Sequence, residues 1–308
     1  MAHKRIIKIG TRKMNPIKKL ARKIRSFATA PVLQRQERST DLSQLQLKLQ
    51  YAELARTGAP LPNLRDVGFR VYSESDEDGI LLYIFSLIGM QSRSSVELCA
   101  GNGMDANTAN LIINHGWHGL LIEGDSAQVA RGREFYKHNP HTRFFPPTFL
   151  HEWVTRENVN DILTKAGFTG AIDLLSLDMD GMDYWIWNAL ECIQPRVVVL
   201  EYQDIIGPGP SITVPYSKDF YAYDKPSMDS MPNYSGASLR AFTKLGKKKG
   251  YRLVGCNRYG YNAFFIRDGL GEEYFPEVDV ESCFFHPKYF TQAPTRWETV
   301  KHLEWVEI

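Results

Sequence analysis

The chain has 308 residues, 43% hydrophobic and 23% charged, which is room for one large α/β domain with a sizeable core. It lacks any apolar run of about 18 residues, so no membrane-spanning helix is expected, nor does an apolar stretch follow the basic start as a secretory signal requires. The net charge of +2 conceals an asymmetry: residues 1–36 hold eleven of the 37 Lys and Arg and no acid, which leaves 26 basic against 35 acidic residues in the remainder.

In chain order, Asn15-Pro16 reads as a helix start, and Ile17, Leu20, Ala21, Ile24 and Phe27 recur at helical spacing opposite Lys and Arg. A basic amphipathic segment of this kind suits an anionic membrane surface. A solvated tail, a nucleic-acid arm and an organellar transit peptide are the other readings. A second helix is predicted at 41–57, then a Pro-containing linker to Asn63. EDGILLYIFSLIG from Glu77 reads as a helix burying Ile80, Ile84, Leu87 and Ile88. From residue 95 strands and helices alternate. SVELCAGNG, GLLIEGD, a weaker TRFFPP, AIDLLSLDMDG and RVVVLEYQD are the strands. DANTANLIINHG, SAQVARGREFYKH and MDYWIWNALECI are helices between them. That spacing predicts βαβ crossovers and a doubly wound, mostly parallel α/β sheet. After the helix SGASLRAFTKLGKKKG, YRLVGCN and NAFFIR are joined by a link too short for a crossover, so they form an antiparallel hairpin at the sheet's end. Cys99, Cys192, Cys256 and Cys283 form no CxxC pair and point to free thiols in a reducing compartment.

Ligands of open α/β sheets bind beyond the carboxyl ends of the strands. There the first strand ends in Gly101-Asn102-Gly103, which lets a backbone approach a ligand and turn into a helix. The second ends in Glu123-Gly124, and a carboxylate so placed can accept hydrogen bonds from both ribose hydroxyls of an adenosine cofactor. Glu97, inside the first strand, disfavours a diphosphate and suits a cofactor carrying an amine and a sulfonium, although an NAD-dependent oxidoreductase is the natural rival. Asp178 and Asp180 end the fourth strand and Glu201 the fifth. These strands are neighbours in a doubly wound order, so the three carboxylates could converge as hard ligands for Mg²⁺, Mn²⁺ or Ca²⁺. Alternatively Asp178 binds the cofactor amine, Asp180 caps the helix near Met182 and Glu201 pairs with an Arg. Asp183 is explained by the helix dipole. The histidines read as surface groups, with His151 bordering an adenine pocket and His286 a distant candidate base. The loop 203–235 carries Pro208, Pro210, Tyr216, Phe220, Tyr221, Tyr223 and Tyr234, aromatic faces suited to sugar rings and to an acceptor lid.

VELCAGNG resembles motif I of the class I S-adenosylmethionine (SAM) methyltransferases, and LLIEGD their acidic second-strand motif. Ser73–Gly79 (SESDEDG), Gly116–Glu123 (GWHGLLIE) and Ile172–Gly181 (IDLLSLDMDG) are similar to three segments of the FkbM-like methyltransferases, across roughly 70–268. Glu74 and Asp180 depart from that family's usual Gln and Glu. The resemblance implies a Rossmann-like, seven-stranded fold, SAM as cofactor and O-methylation. The expected organisation is a basic arm and helical extension (1–63), a SAM-binding domain (64–270) and a C-terminal aromatic segment (271–308) packing on it. SAM is expected at Glu97, Gly101, Asn102, Gly103, Glu123, Gly124 and Asp178. Acceptor activation, with Mg²⁺ or Mn²⁺ assistance, is expected from Asp178, Asp180 and Glu201. A carbohydrate hydroxyl is the expected acceptor, in the cytoplasm or peripheral on the inner membrane face. An RNA or small-molecule methyltransferase is the alternative.

Overall fold

The computed structural model describes residues 41–228 and 231–308, so the basic segment 1–36 lies outside the described residues. Residues 48–308 form one compact unit, which contains the whole candidate site. The few described residues before it, 41–47, are helical. Among the described residues no helix is long and apolar enough to cross a membrane.

Helix α1 covers 41–57, followed by α2 (Glu77–Ile88), β1 (Ser94–Leu98), α3 (Ala109–His115), β2 (His118–Glu123), α4 (Ser126–His138) and β3 (Thr148–His151). Next come α5 (Val159–Lys165), β4 (Gly170–Leu177), α6 (Asp183–Ala189) and β5 (Ile193–Glu201). The excursion after β5 holds β6 (Ile212–Thr213), β7 (Ser227–Met228) and β8 (Met231–Pro232). The chain then returns through α7 (Leu239–Lys249), β9 (Tyr251–Cys256), β10 (Asn262–Arg267), α8 (Pro287–Glu298) and β11 (Val306–Glu307). Seven strands form one sheet in the order β3-β2-β1-β4-β5-β10-β9. β1 to β5 pair in parallel and β10 is antiparallel to both β5 and β9. This is the doubly wound sheet with a closing antiparallel hairpin expected from the sequence.

The central strands are near-continuous apolar runs because helices cover both faces of a parallel sheet. Val96, Leu98, Leu120, Ile122, Val198 and Leu200 are fully buried. Helix α2 is buried more completely than one face: Leu81, Leu82, Tyr83 and Phe85 are enclosed with Ile80 and Ile84, while Leu87 and Ile88 are only half-buried. A helix hydrophobic all round belongs in a core, not on a surface. Below the sheet, Asp173 in β4 pairs with Arg196 in β5 at 2.8 Å, both buried. The same carboxylate accepts the backbone N–H groups of Gln91, Ser92 and Arg93, which fixes the entry to β1.

The third strand differs from expectation, and α5, β6–β8, α8 and β11 are elements the sequence reading did not name. The third strand is Thr148–His151, not TRFFPP. Pro146 and Pro147 offer no N–H to a ladder, so pairing begins only after them. Residues 142–145 instead form a turn whose Phe144 and Phe145 point into solvent.

Candidate active site

A cleft of about 680 Å³ opens at the carboxyl ends of β1, β2, β4 and β5. Its first wall is the turn after β1. Cys99, Gly101 and Gly103 all take left-handed φ, at 58°, 53° and 69°. Their roles divide. Gly101 lines the cleft with open space where a Cβ would stand. Gly103 faces inward, where a Cβ would meet Tyr136, Leu121 and Phe149 at 3.0–3.1 Å, and its carbonyl accepts from the Tyr136 hydroxyl at 2.6 Å. Asn102 turns its Oδ1 back to the N–H of Met104 at 2.7 Å. Asn102 and Gly103 therefore shape the turn, whereas Gly101 turns its backbone to the cleft.

Glu97 is placed differently from expectation. It is buried, and its carboxylate accepts from the N–H groups of Asn107 and Thr108 at 2.9 Å, from the Thr108 hydroxyl and, at 3.2 Å, from Ser176. Burial pushes its pKa up and these donors pull it down. The side chain anchors the start of α3 beneath the turn and does not line the cleft. Its strand position already contained the reason: Val96 and Leu98 join the apolar core, and Glu97 takes the alternate face beside Ser176.

Glu123 does line the cleft. One of its oxygens accepts from the Gly101 N–H at 2.9 Å and the other from the Asp125 N–H at 2.7 Å, which locks the carboxylate toward the opening. Beside it, a Cβ on Gly124 would lie 2.8 Å from the Trp153 ring, so only glycine lets the indole close on this backbone. Trp153, half exposed, donates its Nε1 to the carbonyl of Lys218 at 2.8 Å, and so ties the exit of β3 to the excursion after β5.

The opposite wall carries Asp178, Asp180 and Glu201. Register pairs Leu177 with Leu200, so the next residues, Asp178 and Glu201, stand side by side at the carboxyl ends of β4 and β5. The three carboxylates offer oxygens within 4.8 Å of one another. The turn that aims them is held by the buried Asp183, which accepts from the N–H groups of Met179 at 2.8 Å and Gly181 at 3.2 Å. Within it Asp180 has φ 50°. Asp180 does not cap α6, whose N-cap is Met182, and Glu201 forms no arginine pair among the described residues.

These acids are poorly compensated. Burial and the nearby Asp180, Asp183 and Glu74 push Asp178 well above the usual carboxylate range. Burial together with Asp178 and Asp180 does the same to Glu201. Burial and Asp183 raise Asp180 to about 6, opposed by a hydrogen bond from Tyr223. The phenol of Tyr223 is in turn pushed to about 12, chiefly by Asp180. In all, eight carboxylates line the cleft (Glu74, Glu123, Glu152, Asp178, Asp180, Asp183, Glu201, Asp204) against the cations Lys218, Lys288 and Arg296.

The excursion 203–235 covers this wall. Tyr216, Phe220, Tyr221 and Tyr223 line the cleft, while Pro208, Pro210 and Tyr234 do not. Phe220 sits against Gly181, where a Cβ would meet its ring at 2.4 Å, and φ at Gly181 is 146°, so this glycine serves both the turn and the close approach. Further along, β6 pairs with β11 from the C-terminal segment, and Arg296 of α8 bonds Asn233 at 2.8 Å and Asp204 at 3.4 Å.

Several lining residues escaped the sequence reading: Glu74, Cys99, Trp153, Gln203, Tyr261 and Lys288. The SESDEDG segment explains the first. Asp78 accepts three backbone N–H groups, from Val71, Tyr72 and Ser73, at 2.6–2.9 Å. Glu77 receives Asn257 and Asn262, each at 2.8 Å, and Asp76 pairs with Arg258. The segment is thus bolted to the β9–β10 hairpin, with Glu74 left at the cleft and Ser75 bonded to Tyr261. No histidine lines the cleft among the described residues. His151 bonds the Gly124 carbonyl at 3.0 Å, and His286 caps α8.

No protein-family model matches the chain, and no curated protein matches it. Solved structures do resemble it. A magnesium protoporphyrin IX methyltransferase from Synechocystis with bound SAM is 10% identical over 62% of this chain and 78% of its own, with a TM-score of 0.39. A glycopeptide N-methyltransferase in complex with S-adenosyl-L-homocysteine is 12% identical over 66% of this chain and 95% of its own, TM-score 0.41. A SAM-dependent methyltransferase from Clostridium acetobutylicum is 9% identical over 73% and 98%, TM-score 0.38. The strand order and the antiparallel penultimate strand are themselves those of the class I methyltransferase fold.

Proposed function

We propose that the chain is a SAM-dependent O-methyltransferase, FkbM-like in type, that methylates a carbohydrate hydroxyl with the help of a divalent cation. The observation that carries this reading is the meeting of Asp178, Asp180 and Glu201 across one cleft from Gly101 and Glu123. The acidic lining favours a sulfonium cofactor, since a cation entering this field is attracted. The same field repels the diphosphate of a nicotinamide dinucleotide and the phosphodiesters of RNA, which weakens both alternatives. The FkbM-like reading draws its support from the three sequence motifs, and a cytoplasmic location from the four free cysteines.

In this reading the ribose diol lies on Glu123, adenine lies alongside the Gly124–Trp153 contact, and the methionine moiety follows the backbone at Gly101. The three carboxylates fit a hard divalent cation: their oxygens are close enough to share one, and its charge would relieve the repulsion that now raises their pKa values. Bound there, Mg²⁺ or Mn²⁺ would lower the pKa of an acceptor hydroxyl and orient it. The chain's own contribution is placement. Tyr216, Phe220 and Tyr221 offer faces for a sugar ring. An acid of the cluster takes the hydroxyl proton as the new O–CH₃ bond forms and the S–CH₃ bond breaks. Alignment of oxygen, methyl and sulfur can supply as much as about 7–11 kcal/mol in favourable cases.

The test is incubation of the protein with methyl-labelled SAM and a cell-envelope glycan extract, with and without EDTA, followed by location of the label. Label on a glycan oxygen, lost with EDTA and restored by Mn²⁺, is the expected result. Full transfer in excess chelator removes the metal; calorimetric binding of NAD in place of SAM removes the whole reading.

A further inference from the structure

The α4–β3 connection is unlike the rest of the surface. Phe144 is 74% exposed and Phe145 90% exposed, adjacent to each other at the tip of this turn. Most large apolar side chains on a soluble surface are isolated, so a neighbouring pair this exposed calls for a partner. The tip is built rather than loose. Thr142 is buried and donates its hydroxyl to the Tyr136 carbonyl at 2.6 Å. Arg143 N–H reaches Asn139 O at 3.0 Å and Phe145 N–H reaches Thr142 O at 2.9 Å. Pro146 and Pro147 stiffen the exit. Both rings are thus held out before any partner arrives, which spares the ordering cost of binding.

The charge around the tip is also distinctive. Arg131, Arg133, Lys137 and Arg143 are exposed between Ser126 and His151, against the single acid Glu134. Yet the chain after residue 36 is acidic overall, with 26 basic against 35 acidic residues. The Arg143 guanidinium lies 4.7 Å from the Phe144 ring centre, a cation seated on the apolar element itself.

We infer that Phe144 and Phe145 form an interfacial anchor that seats in an anionic lipid bilayer, with Arg143, Lys137 and Arg131 at the phosphate level. Aromatic rings favour the headgroup boundary, and basic side chains beside them gain from anionic lipid. A protruding tip can sink into a fluid surface, whereas a protein partner would have to offer a matching pocket. The tip stands at the amino end of β3 and the cleft at its carboxyl end, so the anchored chain keeps its cleft clear of the bilayer. This site is separate from the basic segment 1–36, and it does not depend on the identity of the acceptor.

The experiment uses the full chain with vesicles of phosphatidylcholine alone or with one third phosphatidylglycerol. The Phe145→Trp variant is compared with its parent, whose six tryptophans supply the background, so the difference spectrum reads position 145 alone. A blue-shifted difference emission, quenched by brominated lipid, is expected with the anionic vesicles. The Phe144→Ser/Phe145→Ser variant should float with vesicles roughly tenfold less well, and Lys137→Glu should lose roughly fivefold. An unshifted difference spectrum in vesicles that do bind the chain assigns that binding to residues 1–36 and overturns the anchor. Failure of the chain to bind either vesicle overturns it as well. Equal shifts in neutral and anionic vesicles overturn the part assigned to the basic residues.

Discussion

Carboxylates occur on both sides of the sheet's carboxyl end, and the two sets are held by different partners. On the β1–β2 side, Glu97 and Glu123 accept backbone N–H groups, and Asp173 and Asp78 do likewise elsewhere in the fold. On the β4–β5 side, Asp178, Asp180 and Glu201 have one another and a tyrosine. A carboxylate held by amides has its partners fixed by the backbone, and it serves as an anchor or a fixed acceptor. Carboxylates that face each other are unfinished. They either keep protons at neutral pH or take up a cation, and that unsatisfied state makes the wall a place for chemistry.

The comparison can be broken most sharply at the unfinished wall. Asp178→Asn combined with Glu201→Gln should lower methyl transfer by about 10²–10⁴-fold, since it removes the acid-base groups and the ligand pair together. SAM affinity, measured by calorimetry, should stay near that of the parent. A parallel loss of SAM affinity would mean that both walls serve the cofactor.

An anchor should fail differently. Asp173→Ala leaves the buried Arg196 cation without its counter-charge and three backbone N–H groups without their acceptor. Chemical denaturation should show a loss of about 3–5 kcal/mol, as when one partner of a buried pair is removed. Transfer per folded molecule should be unchanged.

Glu123→Ala tests an acid that is both amide-held and turned to the cleft. Loss of a charged acceptor for the ribose should weaken SAM binding about 10–100-fold, at roughly 1.5–3 kcal/mol for hydrogen bonds to a charged group. Unchanged affinity would remove Glu123 from the cofactor site.

The smallest effect is in pH. In the fold Asp180 is raised from 3.8 to about 6, so its neutral form is favoured there. Its contribution to stability is therefore full below the unfolded value and is lost as pH rises through about 6. Asp180→Asn should accordingly raise Tm at pH 7.5 by about 2 °C. That gain should fade on acidification through the same window and be absent below pH 4. Mn²⁺ should stabilise the parent at pH 7.5 and the variant less. A gain independent of pH would show that the Asp180 charge is already compensated.

How far these features could be read in advance depended on their range along the chain. Apolar runs of five to nine residues bounded by glycine and acids declared β1, β2, β4 and β5, and alternation with helices declared the parallel sheet. The strand-end acids were legible for the same reason, since a strand's carboxyl end is a local fact. The third strand was misplaced because TRFFPP has the residue types of a strand, while its prolines deny it the ladder. Glu97 was read for its charge, and its strand face, a period-two property, decided otherwise.

The sequence by itself determined β1, β2, β4, β5 and the closing hairpin, the glycine turn after β1 and the acids that terminate β2, β4 and β5, because each follows from the conformational preference and polarity of adjacent residues. Only the tertiary structure decided that Asp178 and Glu201 emerge side by side, that SESDEDG is bolted to the β9–β10 hairpin, and that Glu74, Tyr261 and Lys288 reach the same cleft. Those meetings depend on sheet order and register, which the burial of the whole core selects and no short stretch of chain encodes.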